Sequence, residues 1–179
     1  MKVWHFTPYS TDRNLGRAYN EYMALIPEGD AACFMDGDAM YLIPDWGHVI
    51  ENYANTYPNA ILTCWINRIH ELAKGQNAGG PVWVDECLRD AVIRRELLYK
   101  ATPITGSVSG TLLVIPKSIW QLYPFSEVNT YRPGEPNLLG VDNEWTNRIR
   151  ANGVQVLRMD GMLIYHQYRL LTGKKDHLL

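Results

Sequence analysis

The sequence predicts an α/β domain on a mainly parallel sheet, and three observations carry the prediction. Short apolar runs of strand character alternate with segments of helical period along the chain. The run Ala31-Ala32-Cys33-Phe34-Met35 is apolar without a break, as in a strand covered on both faces. The 179 residues contain no internal repeat, low-complexity tract or linker, so they suit one domain with a full core.

Taken in order, Val3 to Thr7 is a short strand closed by Pro8. Leu15, Ala18, Tyr19, Tyr22 and Ile26 fall at helical spacing, and Pro27-Glu28-Gly29 ends that helix. The apolar run into Asp36 is the second strand. Trp46, Val49, Ile50, Tyr53 and Tyr57 mark a second amphipathic helix stopped by Pro58, and Ala60 to Ile66 a third strand. Ala73 to Pro81 is polar and glycine-rich, which predicts a mobile loop. Asp85 to Tyr99 has helical character, Thr111 to Ile115 is a buried strand, and Ile119 to Tyr123 a short helix. Ser126 to Leu139, with Pro133, Gly134 and Pro136, reads as a second long loop. A helix from Asp142 to Asn152 ends at Gly153, followed by strands over Val154 to Met159 and Met162 to Tyr168.

Composition excludes several classes. A net charge of −2 predicts no general attraction to nucleic acid or acidic membrane. No run has the length of a membrane span, and the first residues do not form a signal peptide. Cys33, Cys64 and Cys87 have no paired metal spacing; Cys33 and Cys64 sit in apolar runs and read as reduced core residues, so a cytoplasmic protein is expected.

Chemistry concentrates at Asp36-Gly37-Asp38. Carboxylates at i and i+2 on an extended segment point to the same side, and the intervening glycine leaves room for a phosphate. Such a pair can hold a hard divalent cation that keeps positions open for phosphate oxygens. In isolation the tripeptide is more often a solvated turn, and Asp142 is as readily a helix cap as a catalytic acid. Ligands of α/β sheets bind at the carboxyl ends of strands, however. Asp36 and Asp38, the Thr7 to Asp12 segment and His166 all fall at such ends.

The order of four motifs resembles the GT-A glycosyltransferases, most closely the family 2 type. They are Asn14-Leu15-Gly16-Arg17-Ala18-Tyr19-Asn20, Cys33 to Leu42 around the Asp-x-Asp, Gly110 to Ile115 continuing through Trp120 to Phe125, and Gly140-Val141-Asp142-Asn143-Glu144-Trp145-Thr146-Asn147-Arg148. Tyr165-His166 follows where many members carry a third metal ligand. Members usually have two strands before the Asn-x-Gly helix, where this chain has one, and Glu where it has Val141. The resemblance implies a single-domain three-layer α/β/α sandwich with a mainly parallel mixed sheet, spanning residues 1–179. It also implies a metal-dependent transfer of a sugar from a nucleoside diphosphate donor, UDP by family frequency, to an unidentified acceptor.

On that resemblance, Asp36, Asp38 and His166 would hold Mn²⁺ or Mg²⁺, with Asp36 also addressing the ribose. Asp142 would be the general base, with Glu144 behind it; a helix-start position lowers its pKa unless desolvation offsets the dipole. Thr7, Pro8, Tyr9, Asp12, Arg13, Asn14 and Gly16 would contact the donor, and the two long loops would act as lids. Asn14 and Gly16 read equally as turn and cap chemistry. Two alternatives remain: a non-catalytic nucleotide-sugar-binding module of the same fold, and a phosphotransferase using the Asp-x-Asp pair.

Overall fold

The computed structural model describes residues 1–70, 73–79, 83–129, 133–134, 137 and 140–167. Its strands are β1 (Val3–Phe6), β2 (Ala31–Met35), β3 (Ala39–Tyr41), β4 (Ala60–Ile66), β5 (Ala101–Pro103), β6 (Leu112–Pro116) and β7 (Gln155–His166). The helices are α1 (Leu15–Leu25), α2 (Trp46–Thr56), α3 (Val84–Arg94), α4 (Lys117–Leu122) and α5 (Val141–Ala151).

All seven strands join one mixed sheet in the order β1-β2-β6-β4-β7-β3, with β5 also pairing β7. β1, β2, β4 and β7 run one way, and β6, β3 and β5 run the other. Strand residues alternate between two cores. Ala31, Cys33, Leu112 and Val114 pack with Val49, Ile50 and Tyr53 of α2 and with Cys87 and Ala91 of α3. Ala32, Phe34, Leu113 and Ile115 pack with Tyr19 and Met23 of α1, Ile119 of α4 and Trp145 and Ile149 of α5. Helices therefore cover both faces, which is why the central strands are apolar on both sides. Among the described residues no helix is long and apolar enough to cross a membrane.

Several sequence expectations change. The two final strands are one twelve-residue strand, β7. Asp160-Gly161, which has the composition of a turn, is absorbed as an irregularity: the β4 register jumps between Cys64/Met159 and Trp65/Leu163. Gly161 is needed there, because a Cβ would lie 2.6 Å from the Leu98 backbone. The expected continuation to Tyr168 lies outside the described residues. The Asp85 to Tyr99 helix breaks at Arg94 into a 3₁₀ turn over Arg95–Leu97, and Tyr99 takes a φ of 68°.

The expected mobile loop after β4 is instead anchored over its described part. Ile66 N–H donates to the Gln76 carbonyl at 2.8 Å, Ala78 N–H returns a bond to Ile66 at 2.9 Å, and Gln76 is fully buried. Pro81 lies outside the described residues. In the Ser126 to Leu139 segment, Ser126 and Asn137 pack on α1: Asn137 Nδ2 donates to the Ser126 carbonyl, and Leu15 N–H donates to the Asn137 carbonyl at 3.0 Å. Pro136 and Leu139 lie outside the described residues.

Candidate metal and acid site

The parallel strands β2 and β7 deliver Asp36 and His166 to the same sheet edge, and β3 closes the gap between them. The chain leaves β2 at Asp36, turns back through Gly37, and pairs Ala39 with His166 in the antiparallel β3·β7 ladder. Gln167 N–H donates to the Asp38 carbonyl at 3.0 Å, extending that ladder across the turn. The result is a cluster of Asp36, Asp38 and His166 whose ligand atoms all lie within 4.8 Å of one another.

The imidazole is oriented from behind. His166 Nδ1 lies 3.1 Å from the Arg68 carbonyl, which can only accept, so Nδ1 carries the proton and Nε2 faces outward. Asn67 Oδ1 accepts the His166 main-chain N–H at 2.7 Å. Nε2 then meets Asp38 Oδ1 across 3.2 Å. Adjacent ligands of an octahedral cation with ~2.1 Å bonds stand about 3 Å apart. Two carboxylate oxygens and an imidazole backed by a carbonyl could thus hold a metal ion. Asp38 is roughly half exposed while His166 is buried, so the cluster opens on the Asp38 side.

Asp142 sits at the second position of α5. The helix N-cap is Gly140, in the left-handed region at φ 82°, so Asp142 is not the cap residue. Its Oδ2 instead accepts the Gly110 N–H at 2.6 Å, and its Oδ1 the Asn143 N–H at 2.9 Å. Burial raises its pKa although both N–H groups pull the other way, so desolvation outweighs the helix-start effect. Asp36 is raised too, by burial first, with the charges of Asp38 and Asp142 adding and His166 and Thr111 opposing. Both acids act on the buried Tyr19 phenol, whose pKa they and burial push well up. Asp142 accepts the Gly110 N–H and Asp36 N–H donates to the Thr111 carbonyl at 3.1 Å, so consecutive residues of one segment hold both acids. Val141, at the position where the resembled family carries Glu, is a core residue beside Trp145. Glu144 is tied to Arg148 Nε at 2.9 Å.

The segment after β1 divides. Thr7 lies against Gly37, its Cγ2 3.5 Å from where a Cβ would stand. Tyr9 is 74% exposed and borders a cleft of about 290 Å³ with Asp12, Arg17 and Glu21. Pro8 is half-buried, and Arg13 is exposed with a φ of 60°. Asp12 binds Ser10 Oγ at 2.5 Å and Arg17 Nη1 at 2.5 Å. Asn14 caps α1 by accepting the Arg17 N–H at 3.0 Å, while its Nδ2 donates to the Glu127 carbonyl at 2.9 Å. Gly16 is buried, with the Ser126 carbonyl where a Cβ would go. Asn14 and Gly16 thus hold loop to helix, which was the alternative reading of their chemistry.

Sequence reasoning passed over Asn67 and Arg68 behind His166, and Gln76 and Ser109 near Asp142, while Gly110 and Thr111 entered only as the start of the third motif. Each lies at a strand end or in a loop of common polar composition, with no local period to mark it. Gly110 alone had a readable signal, a glycine directly before a buried strand; a Cβ there would stand 3.1 Å from the Tyr19 hydroxyl and 3.2 Å from Asp142 Cβ. No protein-family model matches the chain, and no curated protein matches it in sequence.

Proposed function

We propose that this chain is a metal-dependent glycosyltransferase that moves a sugar from a nucleoside diphosphate donor, UDP being the first to test, to an acceptor hydroxyl. The observation that carries the reading is the meeting of Asp36, Asp38 and His166 within 4.8 Å at the carboxyl edge of the sheet, with Asp142 beside them. A bound Mn²⁺ or Mg²⁺ would supply Lewis-acid stabilisation of the departing diphosphate.

The protein's own groups divide the remaining work. Asp38, roughly half exposed, forms the opening of the cluster, with His166 buried behind it and Asp36 on the side of Tyr19 and Asp142. Asp142 takes the proton of the acceptor hydroxyl as that oxygen bonds to the sugar and the nucleotide leaves. Its raised pKa favours this role, since a carboxylate held low would be a poor base. Thr7 is set against Gly37, and the cleft beside the exposed Tyr9 would offer the nucleotide a seat with an aromatic face.

A thermal-shift panel of nucleoside diphosphates and their sugars, with and without Mn²⁺, tests the reading. A metal-dependent rise in melting temperature that disappears in Asp38→Ala is the expected result; no metal-dependent response to any nucleotide would sink it. Tight donor binding without donor hydrolysis or transfer on a broad acceptor panel would favour a binding module. Phosphate release from simple phosphomonoesters would point to a phosphotransferase.

A further inference from the structure

Half of the large apolar side chains exposed among the described residues lie on one short segment. Trp83, Leu88, Val92, Ile93, Leu97 and Tyr99 run from the start of α3 to the end of the 3₁₀ turn that continues it, and Val92 and Ile93 are 64% and 66% exposed. The inner face of the same helix is already occupied. Cys87 and Ala91 are fully buried in the sheet core. Arg94 stacks 4.6 Å over Trp65 and pairs with Asp90 at 3.0 Å, and Arg95 holds both Asp45 oxygens at 2.7 and 2.8 Å. Single exposed apolar residues are ordinary on a soluble domain, whereas a run of them on one element marks a contact surface.

The charges left on the outer face decide what fits it. Asp85, Glu86, Arg89 and Glu96 are exposed. Asp85 and Arg89 stand 3.5 Å apart with both side chains 75% exposed, a pair that water holds only weakly. Asp85, Arg89, Val92 and Glu96 follow one another at spacings of four, three and four residues, which sets them on one stripe flanked by Leu88 and Ile93. The stripe reads acid, base, apolar, acid, with the basic Lys100 beyond the turn. Mixed signs of this kind give no attraction to an acidic membrane or to nucleic acid. They do match the same stripe turned end for end. With a two-fold axis between Val92 and Ile93, antiparallel helices bring Val92 to Ile93, Leu88 to Leu97 and Arg89 to Glu96. Each of these contacts occurs twice, as in any two-fold interface. Asp85 falls opposite Lys100 in the same register. A parallel alignment would set each charge against its like.

We propose that the outer face of α3 is a self-association surface. A second copy of this chain packs on it antiparallel, with Val92 and Ile93 at the axis, Leu88 and Leu97 beside them, and Arg89 of each protomer against its partner's Glu96. Trp83 and Tyr99 lie at the two ends of the face and add the aromatic area that interfaces favour. None of these residues belongs to the metal corner, so the surface is independent of the transferase reading.

Sedimentation equilibrium of the full chain, at concentrations reaching the millimolar range, tests the proposal, with melting curves to establish that each variant is folded. The wild type should dimerise reversibly. Arg89→Glu and Glu96→Arg, each alone, set like charges together in both pairs and should weaken the dimer at least about tenfold. An equimolar mixture of the two variants should associate as the wild type does, because each introduced charge then meets its opposite. Val92→Asp places charge at the axis without touching either ion pair and should leave monomer only. A wild type that stays monomeric would overturn the proposal and leave the face to a different partner. A dimer that survives Val92→Asp would overturn it too, since another face would then hold the copies together. A mixture that associates no better than its components would rule out the antiparallel register.

Discussion

Two acid-bearing turns follow neighbouring parallel strands, and they treat charge in opposite ways. After β1, the Asp12 carboxylate is answered by the Ser10 hydroxyl, the Asn14 N–H and the Arg17 guanidinium, and its pKa falls, with the Ser10 bond the largest cause. After β2, Asp36 is half-buried near Asp38 and Asp142, and its pKa rises, with burial the largest cause. The first turn is complete in itself. The second brings Asp36 together with two further carboxylates, and burial with those charges outweighs the opposing His166 and Thr111.

The largest expected effect separates these acids by chemistry. Asp142→Asn keeps an acceptor for Gly110 N–H but has no proton-accepting carboxylate, so sugar transfer should fall by about 10²–10⁴-fold while donor binding persists. Transfer assays with a saturating UDP-sugar and Mn²⁺ measure this. Transfer within a few-fold of wild type would remove Asp142 from the role of base.

The next effect belongs to the self-contained turn and should appear in stability. Gly16→Ala places a Cβ against the Ser126 carbonyl, and neither α1 nor the segment held by Asn14, Asn20 and Asn137 yields easily. A loss of about 1–3 kcal/mol is expected, the usual range for overpacking a close contact. Chemical denaturation reads it directly, with Mn²⁺ affinity of the folded protein as the control. If Gly16→Ala leaves stability intact but weakens nucleotide binding, Gly16 faces the donor after all.

These expectations show where the sequence was legible. Ala31 to Met35 marks burial by an unbroken apolar run, and the spacings of Tyr19, Val49 and Tyr53 mark it by helical period, and β2, α1 and α2 follow. β3 and β5 have three residues each, too few for any alternation to register, and both exist because β7 offers them an edge. The approach of His166 to Asp38 is a product of the β3·β7 ladder, so only the order of motifs and the strand ends on which both residues fall hinted at it. The direction of β6 is equally non-local: nothing within Leu112–Pro116 tells an antiparallel neighbour from a parallel one. The β1–α1 turn misleads for a chemical reason, because Asp, Asn and Gly serve turns and phosphate sites alike. The loop after β4 misleads similarly, since Gln76 looks solvent-facing until Thr63 and Ser109 are seen to enclose it.

The smallest effect is the sharpest test of the contrast, because it has a sign. A carboxyl whose folded pKa is raised adds stability that is fully present below its unfolded value, near 4, and lost as pH rises through the folded pKa. A carboxyl whose folded pKa is lowered adds stability present above that value and lost as pH falls through the folded pKa. Asp36 is of the first kind and Asp12 of the second. In metal-free protein at pH 7, Asp36→Asn should therefore raise the melting temperature by a few degrees, and Asp12→Asn should lower it slightly. Both differences should shrink towards zero at a pH low enough to protonate the wild-type carboxyls. Saturating Mn²⁺ should reverse the Asp36→Asn ranking at pH 7, because the wild type gains binding energy that the variant forgoes. A metal-free Asp36→Asn protein that melts below wild type at pH 7 would mean that Thr111 and His166 already compensate the charge, and the two turns would then differ in geometry alone.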